Sequence, residues 1–228
     1  MKNMKPYFLI ILALSSILSC RGGNSPADET CGKQVSKGRE YFNNFYFTKQ
    51  AVYLDSALQI LKGVENCSSK YTNTIFMDEM QVYFLKKNFS SALEVLNKVP
   101  ATVFPFPSLK DVFENKIRAK EAETKGDTIS QRKYYGIIVS LYEHYMDENN
   151  QMFVNTLCQS EYEKIGNKEV DFVVTELYYY ISKTEGIATA INKLTVYQKN
   201  IQGNMQYFDE LKKNNRKNDP DKMGIMLY

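Results

Sequence analysis

Apolar residues recur at spacings of three and four along most of this chain, and the places where that spacing stops mark out helices in antiparallel pairs. From Gly32, the residues Val35, Gly38, Phe42 and Phe45 form one stripe, widened by Tyr41 and Tyr46, until Thr48, Lys49 and Gln50 interrupt it. A second helix is predicted from Ala51 to Val64, with Leu54, Ala57, Leu58, Leu61 and Val64 on one face. Past the polar segment 65–70, a third runs from Tyr71 to Lys86 and a fourth from Phe89 to Val99, where Pro100 stops it.

The two hairpins agree in kind when one is laid on the other with a shift of 35 residues: Tyr41 on Phe76, Phe42 on Met77, Leu54 on Phe89, Ala57 on Ala92, Leu58 on Leu93, Leu61 on Leu96 and Val64 on Val99. A period near 34, with aromatic residues in the first helix and a small residue in the second, resembles the tetratricopeptide repeat. The resemblance implies a small residue where helices cross closely, the role of Ala57 and Ala92 here. The repeat is degenerate: Phe45 and Met80 stand where the family has glycine, and the family's tyrosine, kept as Tyr83, is Thr48 in the first copy.

Residues 101–107, with prolines at 105 and 107, read as an extended connector that breaks the array. A longer hairpin follows, with a highly charged helix over Leu109–Thr124, a turn at Gly126, and a partner over Ser130–Glu148 carrying Tyr135, Ile138, Leu141, Tyr142 and Tyr145. Gly136 is the candidate for its small-residue place. Met152, Phe153, Leu157 and Cys158 suggest a helix ending near Gly166, and Val170–Ser182 and Ile187–Gln198 make the last clear pair. Ile187, Ala190, Ile191 and Leu194 fall on Phe89, Ala92, Leu93 and Leu96 with a shift of 98. Gln202–Lys212 is expected to cap the array, since a stack of repeats needs a terminal element with a polar outer side. The expected fold class is all-α, a short solenoid of stacked antiparallel helical hairpins.

Composition agrees with folded helices: 43% of residues are hydrophobic, while only 6 prolines and 11 glycines punctuate 228 residues. The beginning of the chain changes the picture. Lys2 and Lys5 precede an apolar run that reaches Cys20, the layout of an export signal and too short to span a bilayer. Ile17, Leu18, Ser19 and Cys20 resemble the lipobox of bacterial lipoproteins, which implies cleavage before Cys20 and its diacylation. The organisation expected is then a signal peptide over 1–19, a flexible tether over 20–30, the repeat domain over 31–212 and a polar tail over 213–228. Multiple acyl chains, at about 0.8 kcal/mol per buried methylene, tether a protein stably without a spanning helix. Arg21 in place of aspartate resembles outer-membrane sorting, with the face left open. Removing the leader lowers the net charge from +3 by two, so no overall charge attracts nucleic acid.

Export permits disulfides, and the antiparallel first hairpin sets Cys31, before its first helix, beside Cys67, after its second. Two free thiols are the alternative; Cys158 reads as a buried apolar residue. Catalytic signals are poor. The single histidine, His144, stands beside Glu143, Asp147 and Glu148 on what reads as a solvated helix face, and no metal site, cofactor or enzymatic activity is expected. Asp127-Thr128-Ile129 resembles the O-glycosylation motif of exported Bacteroidetes proteins and makes Thr128 the candidate acceptor. Two functions are expected in competition. One is a scaffold holding an envelope protein or peptide in a groove, lined in this reading by Asn43, Asn44, Gln81 and Lys86. The other is a glycan or small-ligand protein using Tyr178, Tyr179 and Tyr180, because three consecutive tyrosines on a helix cannot all face one core. At least one of them is therefore exposed or covered by a further element, and the preferred alternative for all three is packing with the hydroxyl at the rim.

Overall fold

The computed structural model describes residues 26–155 and 159–200, with side chains described outside 149–171 and 198–200. The fold is all-α, a series of helices most of which pack against a neighbour in sequence. The leader, Cys20, Cys158, the expected capping helix over 202–212 and the tail lie outside the described residues. Two compact units divide the chain between Ile75 and Phe76.

In the first unit, α1 (Pro26–Thr48) pairs with α2 (Ala51–Gly63). The expected tether is therefore helical from residue 26. Its small polar residues suggested flexibility, but they hold a helix start: Pro26 occupies the first helical position, where its missing N–H has no bond to lose, and Asp28 and Glu29 lie in the first turn, facing the positive end of the helix dipole. Cys31, Val35 and Gly38 of α1 and Leu54, Ala57 and Leu61 of α2 are buried. A Cβ on Gly38 would stand 3.1 Å from Cγ and Cδ2 of Leu61, so this glycine lets the helices approach. The predicted interruption is a tight turn in which the Lys49 N–H donates to the Phe45 carbonyl at 2.7 Å, with Lys49 in the left-handed region at φ 57°.

The second unit holds α3 (Thr72–Leu85) from Phe76 onward, then α4 (Phe89–Lys98). The Lys87 N–H donates to the Phe84 carbonyl and the Asn88 N–H to the Tyr83 carbonyl, the pair of bonds of a Schellman ending, with Lys87 at φ 59° where glycine is usual. Asn88 then caps α4 by accepting from the Ser91 N–H at 3.2 Å. Lys87→Gly relieves the left-handed backbone and is expected to raise stability by about 1 kcal/mol, read as a higher urea midpoint at unchanged slope. The paired positions Leu54 and Phe89, Ala57 and Ala92, and Leu61 and Leu96 are all buried, while Leu58 and Leu93 are both half-buried. The helix starts differ by 38 residues, not 35, so α2 has nearly one more turn at its beginning.

The connector over 101–107 does more than break the array. After a 3-10 turn at Ala101–Val103, extended backbone at Phe104 sends alternate side chains to opposite sides: Pro105 and Pro107 are exposed, Phe104 and Phe106 buried. Phe104 packs on Phe113 with ring centroids 5.4 Å apart, and Phe106 stacks on Tyr145 at 4.0 Å. α5 (Leu109–Lys125) ends in a second Schellman motif, with Gly126 at φ 71°. α6 (Thr128–Asn155), α7 (Gln159–Thr184) and α8 (Ile187–Asn200) follow, each packed on the one before. α6 runs beyond its predicted end at Glu148. α7 passes through Gly166 without a break, because a glycine inside a helix costs only about 1 kcal/mol and does not itself end it. Gly136 faces open space and is exposed, so it does not fill a small-residue place; Ala190 on α8 is fully buried, as Ala57 and Ala92 are.

Candidate functional site

The most unusual chemistry of the second unit lies inside it, on three helices. Lys116 of α5 is fully buried and forms an ion pair with Glu176 of α7, whose side chain is 14% exposed. The Tyr142 hydroxyl, from α6, donates to Glu176 Oε2 at 3.3 Å. The Lys116 ammonium also stands 5.5 Å from the centre of the Phe172 ring and 5.7 Å from that of Phe113, within cation–π range. Burial pushes the Lys116 pKa below its ordinary value, against the opposing charge and hydrogen bond of Glu176. Geometrically this is a largely buried, paired charge that links α5, α6 and α7.

Beside it, the tyrosines expected to offer a ligand surface are buried. Tyr178, Tyr179 and Tyr180 are 0%, 6% and 1% exposed, since α7 is flanked by α6 on one side and α8 on the other. The expectation that one of the three stands exposed fails, and the alternative of a covering element holds. Tyr135 of α6 contacts both Tyr179, at 6.3 Å between centroids, and Tyr180, at 5.2 Å. Burial raises the pKa of all three of these phenols. A phenol whose folded pKa lies above its unfolded value stabilises fully below about pH 10, the unfolded value, and loses that contribution as pH climbs through the folded value. The protein should therefore hold its stability up to about pH 10 and unfold cooperatively above it, phenolate absorbance rising together with loss of helicity. Tyrosine ionisation well before the helical signal falls would contradict this.

The remaining candidates are dispersed. In the first unit, Asn43 is exposed and Asn44 half-buried, the Asn44 carbonyl accepting from Thr48 Oγ1 at 2.8 Å. In the second, Gln81 is half-buried and Lys86 exposed. Thr128, exposed at the start of α6, follows Asp127, which accepts from the Ser130 N–H at 3.0 Å; Ile129 beside it is 83% exposed. His144 lies on an open helix face, 3.2 Å from Glu148. Cys31 and Cys67 are joined by a disulfide with their Cα atoms 5.7 Å apart, next to a hydrogen bond from the Ser68 hydroxyl to the Asp28 carboxylate. The first unit also has an open cleft of about 690 Å³, bordered by Glu29, Lys33, Lys37, Arg39, Glu40 and Tyr71, in which three bases stand with two acids.

Sequence reasoning missed Lys116 and Glu176. A signal was present: Lys116 continues the stripe of Leu109, Val112, Phe113 and Ile117, a place where a cation must find a buried partner or leave the core. Among the described residues no group of acidic, histidine and cysteine side chains could hold a metal ion, and no helix is long and apolar enough to cross a membrane. Comparison with protein-family models, with curated proteins and with solved structures gives no match for this chain.

Proposed function

We propose that the chain is a lipid-tethered protein of a bacterial outer membrane, acylated at Cys20, that serves as an interaction scaffold built from tetratricopeptide-like hairpins. The observation that carries the reading is that the small residues of the repeat pattern, Ala57, Ala92 and Ala190, are all fully buried, the place that close helix approach in a helical array requires. In this reading exposed Asn43 of the first unit and exposed Lys86 of the second, each taken by itself, are contacts for an envelope protein or peptide, and no catalytic role is assigned to any residue. Glycan binding through Tyr178, Tyr179 and Tyr180 loses its basis with their burial.

Thr128 keeps the exposure an O-glycosylation acceptor needs, and the intact mass of a Thr128→Ala variant isolated from the native host tests that assignment. The scaffold reading is tested by capture from detergent-solubilised envelopes. A stoichiometric protein partner is expected, lost when Asn43 and Lys86 are both changed to glutamate; a glycan ligand with no protein partner would overturn it. The mass of the mature amino terminus separately reports acylation of Cys20.

A further inference from the structure

The end of the first hairpin carries an observation that the scaffold does not use. From Tyr41 to Leu54 the chain has six aromatic residues and a single charge, Lys49, with no carboxylate between Glu40 and Asp55. In the structure this stretch is the tip where α1 turns into α2, and it leaves its apolar groups outside: Phe47 is 87% exposed, Val52 59% and Tyr46 44%. Phe47 is the most exposed of the large hydrophobic residues described. Isolated exposed apolar residues need no explanation, but three grouped at one turn form a patch.

The tip is also held in shape. Tyr46 packs edge-on against Phe42 at 5.1 Å and against Phe45 at 6.0 Å. The Gln50 N–H donates to Thr48 Oγ1 at 3.3 Å. Lys49 adopts the left-handed conformation that glycine would adopt without strain, and its ammonium stands over the Tyr46 and Phe45 rings at 5.4 and 5.7 Å. A cation is thus fixed beside a projecting phenylalanine, in a stretch without acids to oppose an anionic surface. Tyrosine and lysine are the side chains that place an apolar body in the acyl boundary and a polar end among headgroups.

We infer that the α1–α2 tip is a membrane-contact site, in which Phe47 and Val52 enter the headgroup boundary of an anionic lipid surface and Lys49 pairs with lipid phosphate. The inference goes beyond the scaffold reading and holds whether or not Cys20 is acylated. For an acylated chain it adds a second contact: Phe47 lies 21 residues beyond Pro26, about 32 Å along α1 at 1.5 Å per residue, so the hairpin lies along the surface instead of standing up from it.

The chain has no tryptophan, so a single one reports its own surroundings. In the full-length protein, Phe47→Trp is compared with Ile129→Trp, an equally exposed position in the other unit, on vesicles of phosphatidylglycerol and phosphatidylethanolamine. The Phe47→Trp emission should shift to the blue and be quenched by brominated acyl chains, while Ile129→Trp should show neither. Adding Lys49→Glu to Phe47→Trp should weaken the response about tenfold on these vesicles and leave it unchanged on phosphatidylcholine alone, since one reversed charge at a surface is worth about that much. Equal quenching at both positions, no quenching at Phe47→Trp, or a blue shift that depends on protein concentration without vesicles would overturn the inference, the last by showing a second copy on the patch.

Discussion

Glu176→Ala should destabilise the second unit by about 3 kcal/mol, the lower part of the range for breaking a buried ion pair. The reason is the partner left behind. Lys116 is fully buried and pairs with Glu176, so removing the carboxylate takes an opposing charge away from an ammonium buried beside Phe113 and Phe172. The slight exposure of Glu176 admits some water, which keeps the expected loss from the top of that range. Glu176 raises the Lys116 pKa through its charge and its hydrogen bond, against desolvation, so in the variant the amine gives up its proton more readily. A folded pKa pushed below the unfolded value means that the unfolded chain binds more protons in the interval between them, so the variant gains stability with rising pH there. Its deficit should therefore shrink between neutral pH and the ordinary lysine pKa, as read by urea denaturation at several pH values.

Joint replacement separates pairing from packing. Lys116→Met with Glu176→Leu removes both charges and keeps the volume apolar, and such exchanges are commonly neutral or stabilising by about 1 to 4 kcal/mol. Tyr142 would lose Glu176 as an acceptor, so Tyr142→Phe belongs in the same variant. Recovery of wild-type stability by the triple variant, with failure of Glu176→Ala alone, is the expected result. Equal loss in both would show that shape, not charge, governs this site.

How much of this was legible in the sequence depended on whether a feature announces itself locally. The stops at Thr48–Gln50, Pro100 and Gly126 could be read because turn chemistry is local, and the helices between them begin and end within a few residues of their predicted places. Gly166 misled because the same residue type that ends a helix at Gly126, in a left-handed backbone, is carried through the interior of α7. Phe104 and Phe106 were hidden by their prolines, which fix an extended backbone but do not say whether its alternate side chains meet a core. Lys116 was hidden by its company: on a helix with many charges one more reads as solvated, and only the tertiary position of Glu176, 60 residues later in the chain, distinguishes it. The tyrosines failed for a related reason. Period 3.6 says that three consecutive side chains diverge, but it takes the packing of α6 and α8 on two sides of α7 to bury them all.

Removing the disulfide, as Cys31→Ala with Cys67→Ala, should cost the first unit about 4 kcal/mol. The bridge joins residues 36 apart, and the chain-entropy treatment gives about that value for a loop of this length. Its weight is large because, among the described residues, the hairpin packs through a short apolar core of Val35, Leu54, Ala57 and Leu61, and small cores are marginal by area burial alone. The bridge fastens the beginning of α1 to the segment after α2, where Ser68 bonds to Asp28 and Tyr71 lies close over Gly32. Its loss should therefore be felt first at the amino-terminal turns of α1, whose amides exchange faster, before the tip at Lys49. Alanine at Cys31, which is buried, avoids adding the unsatisfied hydroxyl that serine would bring. Reduction of the wild-type protein should reproduce the same exchange pattern, which separates the cross-link from the change of side chain. Unchanged exchange over residues 26–48 and an unchanged denaturation midpoint would show that α1 holds to α2 by packing alone.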